Sequence, residues 1–403
     1  MIHSIKWQNF FSFAEENEVS FVVGKAMPED HGSFNTPGGT RLSKIVAVLG
    51  ANASGKTNLM KVLPFLRWLM LDSFQAGKPE KELNFRPFLF HKKVQPSMME
   101  IEFEYGGIVY RYHVTFNEAR VLTEVLFEKK GSRFSYLFKR ENAVGQDTEQ
   151  IWTRQLGIGE KTIASILRPN ATLFSTLLQV GNPRISEIAT PIRTLSSNVD
   201  RFGRLRADST DQLIEASWYF KEQPSMLQKV SNLLKTYDLG LSHVDIQMIP
   251  KEFFFEAKDP QDTPYPYATH RFRGIDETFS FNEESSGTQR LFVVLQKLLS
   301  VMETGGIAVL DEFEVDLHPL MIPHLLKTFM DPDLNPRNAQ LLLSTHSVEV
   351  FSELHKQQVV LVEKQPDGAS ECWRLDDMRG VRTDDNHLAK YLSGAYRAIP
   401  EIG

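Results

Sequence analysis

Residues 45–57, Ile45-Val46-Ala47-Val48-Leu49-Gly50-Ala51-Asn52-Ala53-Ser54-Gly55-Lys56-Thr57, constrain the fold more than any other stretch of the 403-residue chain. The continuous apolar run suits a strand buried on both faces. It stops at Gly50. From Gly55 onward the pattern turns helical, with Leu59, Val62, Leu63, Leu66, Leu69 and Met70 at spacings of three and four. Between strand and helix, Gly50 to Thr57 fits G-x-x-x-x-G-K-[ST] without a gap. The glycines let backbone N–H groups converge on phosphate oxygens, and the helix N-terminus adds partial positive charge. Lys56 is expected to bridge the β- and γ-phosphates of a nucleoside triphosphate, and the Thr57 hydroxyl to ligate Mg2+. Gly50, Asn52, Ser54, Gly55 and Asn58 complete the expected cradle. A chance match in a chain of this length has a frequency of roughly 1–2%, and the strand–loop–helix context lowers it further. Pro64, inside the helical pattern, predicts a kink or an early stop.

A second run, Gly306-Ile307-Ala308-Val309-Leu310-Asp311-Glu312, predicts a buried strand ending in two carboxylates. Asp311 is placed to hold Mg2+ and Glu312 to polarise an attacking water. Upstream, Glu284-Ser285-Ser286-Gly287-Thr288-Gln289-Arg290 opens a helix with small residues. That end can meet phosphate or, taken alone, serve as a plain serine cap. Downstream, Leu341 to Ser347 is a strand running into His346, at the kind of sheet edge where α/β proteins bind ligands.

The rest of the chain is organised around these pieces. Ile2 to Phe10 and Val19 to Val23 predict short strands, and residues 24–42 a surface loop. From 98 to 140 apolar and charged residues alternate, with Gly106-Gly107 as a turn, which predicts an antiparallel meander of about four strands. Residues 141–240 read as mainly helical, most clearly Ile163 to Leu178, broken at Pro169, and Leu227 to Leu239. Strands return near His243 to Phe255, and the proline-containing stretch Ala257 to Thr269 predicts a loop. Then follow a helix from about Gly287, a strand at Ile307 to Leu310, a helix at Met321 to Phe329 and a strand at Gln340 to Ser344. A helix near Ser347 to Leu354 and a strand at Val359 to Val362 close the pattern. The expected division is 1–140, the first half of a nucleotide-binding head with the meander; 141–240, a helical insertion; and 241–403, the second half of the head. No heptad run is long enough for a coiled coil.

Composition excludes some functions. Forty-five Lys+Arg against 51 Asp+Glu give a formal charge of −6, which argues against a generic polycation coating DNA or membrane. A single cysteine, Cys372, forbids an intrachain disulfide and fits a reducing compartment. The N-terminal residues lack the layout of a signal peptide, and no apolar run approaches the ~18 residues of a spanning helix. A cytoplasmic protein without a membrane partner is the expectation.

The order of phosphate loop, Ser-Ser-Gly-Thr-Gln-Arg at 285–290, Leu-Asp-Glu at 310–312, Asp-Leu-His-Pro at 316–319 and Ser-Thr-His-Ser at 344–347 resembles the ABC-type ATPase head. It is closer to the SMC, DNA-repair and OLD branch than to transporters. Within that branch the chain is similar to stand-alone AAA-family ATPases of prokaryotic anti-phage systems of the RloA, AbiL and PARIS type. The ending Tyr391-Leu392-Ser393-Gly394-Ala395-Tyr396-Arg397-Ala398-Ile399-Pro400 resembles that group's own. The resemblance implies an α/β P-loop NTPase of ABC-head type, with an antiparallel meander lobe and a largely helical insertion. It implies that Ser285, Ser286, Gly287 and Gln289 form a signature that closes on ATP held by a second subunit. His346 becomes the switch histidine, Glu312 the catalytic base and Asp311 the Mg2+ carboxylate, while Asp316 and His318 occupy the D-loop. The signature reads Ser-Gly-Thr-Gln where the consensus is Ser-Gly-Gly-Gln, and His318 stands where transporters usually have Asp. Gln179 is the candidate for the Q-loop glutamine beside the metal.

The expected cofactors are therefore ATP and Mg2+. The expected assembly is a homodimer or higher homo-oligomer through the heads, working as a nucleotide-driven switch in anti-phage defence. The effector, a nuclease or toxin, would be separately encoded. A DNA-binding SMC-like or repair ATPase is the first alternative, with Arg111, Lys129, Lys130, Arg133, Lys139 and Arg140 as its candidate contacts. An OLD-like nuclease is the second. Leu361-Val362-Glu363-Lys364 resembles the opening of a Toprim domain, and Asp376, Asp377, Asp384 and Asp385 could bind metal. Only 57 residues follow His346, too few for that fold plus the last sheet strand.

Overall fold

The computed structural model describes residues 1–28, 31–76, 83, 85–142, 149–205, 210–236, 240–250, 262–315 and 317–400. Strands β1 (Ile2–Gln8) and β2 (Asn17–Ser20) open the chain, followed by a small hairpin, β3 (Ser33–Asn35) and β4 (Arg41–Ser43), within the expected surface loop. β5 (Ile45–Leu49) leads through the phosphate loop into α1 (Lys56–Met60), α2 (Val62–Leu71) and α3 (Ser73–Ala76). The helix breaks at Lys61, three residues before Pro64. Proline has no N–H to return to the Met60 carbonyl, so it is tolerated only in the first turn of a new helix, and that is its place in α2.

The meander comprises β6 (Ser97–Tyr105), β7 (Ile108–Phe116), β8 (Val121–Lys130) and β9 (Arg133–Asn142), extended by β10 (Glu149–Thr153). Helices α4 (Glu160–Ala164), α5 (Leu173–Gln179), α6 (Pro183–Ile188) and α7 (Thr190–Arg193) follow. The segment expected as a helical insertion also supplies a strand, β11 (Leu195–Ser197), before α8 (Thr210–Glu222) and α9 (Pro224–Thr236). Then come β12 (Leu241–Ile249), β13 (Thr263–Phe272), β14 (Ile275–Ser280), α10 (Ser286–Thr304), β15 (Ile307–Leu310) and α11 (Met321–Met330). β16 (Gln340–Ser344), β17 (Val359–Lys364), β18 (Ser370–Arg374) and α12 (His387–Leu392) complete the chain. Val348–Ser352, expected as an α-helix, is a 3-10 turn.

Among the described residues the strands form two large sheets. One is antiparallel, in the order β10-β9-β8-β7-β6-β1-β2. The other runs β11-β15-β16-β5-β17-β18, parallel except for its last strand. The parallel sheet joins β5 to β15–β17 from the far end of the chain, an α/β P-loop architecture. Its inner strands β15, β16, β5 and β17 are largely apolar because both faces are covered, while the edge strands β11 and β18 are more polar. Val46, Val48, Ile307, Val309 and Leu342 face a core shared with α2 and the antiparallel sheet. Ile45, Ala47, Leu49, Ala308, Leu310, Leu341 and Leu343 face a second core, built with α8, α10 and α11.

A third, small sheet, β12-β13-β14, lies against α8 and α9. It corrects the loop expected at Ala257–Thr269: Thr263 onward is β13, and 251–261 lie outside the described residues. Of the three prolines behind that expectation, Pro260 lies outside the described residues, and Pro264 and Pro266 sit before Tyr267, where pairing with β14 begins, so they remove no ladder bond there.

Candidate functional site

Parallel topology brings the C-terminal ends of β5, β11, β15 and β16 to one edge, and the phosphate-loop residues, Asp311, Glu312 and His346 lie there; the signature, the D-loop, Gln179 and the acids at 376–377 and 384–385 do not directly follow these strand ends. In the phosphate loop Ala53 and Gly55 adopt left-handed conformations, φ 60° and 117°. The glycines are required by contact as well. A Cβ on Gly50 would stand 2.2 Å from the Val362 carbonyl oxygen, and one on Gly55 2.4 Å from Ser370 Oγ. Lys56 Nζ donates to the Gly50 and Ala51 carbonyls, both at 2.9 Å. Burial pushes its pKa down to about 8, against the pull of Asp311 and Glu314. Ser54 is buried, with its hydroxyl oxygen unpartnered, and Asn52 is exposed. Asn58 Nδ2 donates to Ser12 Oγ at 2.9 Å.

Asp311, 1% exposed, is the centre of the site. Thr57 Oγ1 donates to its Oδ2 at 2.8 Å, and Ser344 Oγ donates to its Oδ1. Asn198, one residue beyond β11, grips the Asp311 backbone from both sides: its Oδ1 accepts the N–H at 2.7 Å and its Nδ2 donates to the carbonyl at 2.9 Å. Glu312 follows in a left-handed conformation, φ 48°, a strained state for a residue with a Cβ. Ser344 Oγ accepts its N–H at 2.9 Å, Arg290 Nη2 donates to its carbonyl at 2.8 Å, and Arg204 forms an ion pair with its carboxylate.

His346 is exposed beyond β16, its N–H bonded to Glu314 Oε1 at 2.8 Å. Partial loss of hydration around the ring, and then the Lys56 charge, lower its pKa, which favours the neutral form. Ser285 caps α10, accepting from Thr288 N at 3.2 Å. Ser285 and Ser286 are exposed and Gly287 half-buried, while Gln289 Nε2 donates to the Glu284 carbonyl at 3.0 Å. His318 is exposed and accepts from Leu320 N through Nδ1, and Asp316 lies outside the described residues.

A sequence profile of the family described as "AAA domain, putative AbiEii toxin, Type IV TA system" matches residues 45–352, a span holding the phosphate loop, Asp311, Glu312, the signature and His346. The chain belongs to this family. Membership makes it an AAA-type ATPase relative with a nucleotide-binding head. Among solved structures, the SMC head domain from Thermotoga maritima is similar at 13% identity, over 93% of this chain and 98% of that one, with a TM-score of 0.41. An SMC head bound to the C-winged helix domain of ScpA gives 12% identity, 93% and 98% coverage and 0.46. A third, an Smc head with an extended coiled coil bound to the C-terminal domain of ScpA, derived from Pyrococcus furiosus, gives 12%, 93%, 97% and 0.42. No curated protein sequence matches.

One site assignment is corrected. Gln179 ends α5, exposed, and its Oε1 accepts from Gln75 Nε2 at 2.7 Å in α3, beyond the C-terminal end of α2. Thr57 lies at the start of α1, the full length of both helices away. The polar side chain beside Asp311 is Asn198 instead. Sequence reasoning also missed Ser344, whose signal was a serine closing an apolar strand before Thr-His. It missed Arg204 and the clamp on the phosphate loop. In that clamp Ser370 Oγ donates to the Ser54 carbonyl at 2.6 Å and lies 2.9 Å from Ser12 Oγ.

Proposed function

We propose that the protein is a Mg2+-dependent ATPase whose heads pair across bound ATP, a switch in anti-phage defence controlling a separately encoded nuclease or toxin. The observation that carries the hydrolytic reading is the Asp311 carboxylate, engaged by the Thr57 hydroxyl on one oxygen and the Ser344 hydroxyl on the other, with Glu312 next in the chain. A hydroxyl and a carboxylate are hard oxygen donors that fit Mg2+, and Thr57 and Asp311 would hold it. Bound there, the ion would neutralise charge on the β- and γ-phosphate oxygens. Lys56 supplies a buried cation to the phosphates, Glu312 accepts the proton of the attacking water, and neutral His346 offers a hydrogen bond to the γ-phosphate.

Pairing of heads is supported by the exposure of Ser285 and Ser286 at the N-terminus of the 19-residue helix α10, where a partner's nucleotide can reach them. A role in a two-component system is supported by the family description, which places the AAA domain itself as the toxin side of a type IV toxin–antitoxin system; the separate effector is the finer part of this proposal. ATP then selects the paired state, a shift of population rather than a mechanical stroke.

The alternatives find less support. Of the basic residues of the DNA-binding reading, Arg140 is fully buried, and Arg111, Lys130 and Lys139 are paired with Glu102, Glu128 and Glu141. Of the acids of the nuclease reading, Asp376 is engaged by Arg374, Asp384 by Arg382 and Asp385 by Lys390.

Light scattering of Glu312→Gln with ATP and Mg2+ tests the switch. The variant is expected to accumulate as a larger species, while the wild type falls back as it hydrolyses. Identical size and turnover in both proteins would refute Glu312 as the base. Metal-dependent cleavage of DNA or RNA that persists in Glu312→Gln would overturn the separate effector.

A further inference from the structure

The segment after β11 is a tight hairpin. Leu205 N bonds the Asn198 carbonyl at 2.7 Å, Val199 and Arg204 form a bridge, and Asp200 N bonds the Gly203 carbonyl at 2.9 Å. The Asp200 carboxylate closes the tip by accepting from Phe202 N and Gly203 N at 2.7 and 2.9 Å. These bonds tie the hairpin together internally.

Its two arms address consecutive acids. Asn198 holds the Asp311 backbone, and Arg204 Nη1 pairs with Glu312 Oε2. The two grips differ in strength. The first is buried and doubly bonded. The second joins side chains that are 30% and 37% exposed, so water and salt compete with it. On its far side the tip, Val199 to Phe202, rims a cleft of about 780 Å³ walled by Trp68, Arg193 and Lys297. Val199 is anchored in the core and Arg201 lies over the Trp68 ring, so the give in this contact lies in the Arg204 and Glu312 side chains. The Glu312 backbone has no such freedom, because Ser344 and Arg290 fix its N–H and carbonyl. Only the Glu312 side chain can respond to the hairpin.

We propose that Arg204 is a positioning residue that latches the Glu312 carboxylate against the 198–205 hairpin, and that hydrolysis requires the latch to open. This rests on the reading of Glu312 as the base. A guanidinium on Oε2 lowers the proton affinity of the whole carboxylate and holds it turned towards the hairpin, so it is a poorer acceptor for a proton from water. Release needs only the weaker of the two grips to break, while Asn198 keeps Asp311 in place. The hairpin thus restrains the reaction without disturbing the metal carboxylate.

The test is steady-state hydrolysis by the full chain at saturating ATP and Mg2+, for wild type, Arg204→Ala and Arg204→Lys, across a KCl series. Arg204→Ala is expected to raise kcat about two- to five-fold with KM unchanged, the range open to a partly exposed ion pair. Arg204→Lys should fall between. Added salt should raise the wild-type kcat towards that of Arg204→Ala and leave the Ala variant flat, a response that a merely structural arginine would not give. An unchanged or lowered kcat in a folded Arg204→Ala overturns the latch. Should Arg204→Ala not fold, Arg204→Gln and the wild-type salt series decide, and a wild-type kcat that does not rise with salt overturns it equally. The double variant with Glu312→Gln separates the two readings. If it hydrolyses as fast as Arg204→Ala, Glu312 is not the base and the underlying assignment fails. If it is inactive while Arg204→Ala matches wild type, the latch alone fails.

Discussion

Lys56 carries its charge at a cost. The ammonium is buried, and its two hydrogen bonds go to neutral carbonyls rather than to a carboxylate. Loss of hydration therefore outweighs the pull of Asp311 and Glu314 and sets its pKa near 8 instead of 10.5. In the free protein the positive charge is complete well below pH 8 and is lost as the pH rises through that value. A triphosphate favours the charged form, so binding above pH 8 must take up a proton. Each further pH unit weakens binding about tenfold, about 1.4 kcal/mol, until the pKa of the bound state is reached. Between pH 7 and pH 9.5 the Kd is expected to rise about 30-fold. Folding stability moves the other way: the unfolded chain holds its lysine proton up to about 10.5, so this group's penalty is full below about pH 8 and is relieved above it.

Isothermal titration of a non-hydrolysable ATP analogue, without metal and in two buffers of different ionisation enthalpy, reads both the affinity and the proton uptake. Lys56→Arg is the control. A guanidinium stays charged across this range, so its binding, even if weaker, should lose the pH slope. A flat Kd in the wild type, or the same slope in both proteins, would refute the reasoning.

Other expectations follow from single contacts. Glu124→Ala should destabilise the fold by about 3–5 kcal/mol in urea denaturation, because it leaves the fully buried Arg140 without its carboxylate; it also strips an acceptor from the Leu173 and Phe174 N–H groups. Gly50→Ala should abolish analogue binding and lower the Tm, since its Cβ would meet strand backbone, the Val362 carbonyl, rather than a side chain that can turn aside. Gln179→Ala should leave kcat within about two-fold of wild type, as expected for an exposed polar contact; a loss of tenfold or more would restore a role for it at the metal.

The legible parts of the site are those whose chemistry is contiguous in sequence. A strand, a glycine loop and a helix must follow one another for backbone N–H groups to converge, and β5 through α1 does so within 16 residues. Asp311 and Glu312 were legible for the same reason, as the end of an apolar strand. The meander was legible through its alternation, because one set of side chains packs inward while the other meets solvent. What stayed hidden acts across the sheet. Asn198 reaches Asp311 over 113 residues of chain, and Ser370 reaches Ser54 over 316. Neither carries a local pattern, since a single polar residue at a strand end looks like any loop residue until strand order is known. β11 itself, Leu-Ser-Ser, is too short and polar to read as a strand, yet its parallel pairing with β15 sets Asn198 against the Asp311 backbone. Gln179 failed for the complementary reason. A glutamine near the end of a helix satisfied a residue-type expectation, but the polar side chain that reaches Asp311 is the one delivered by the neighbouring strand. The order β11-β15-β16-β5 thus determines which polar side chains become part of the site, and that order arises from long-range pairing that no short window of sequence encodes.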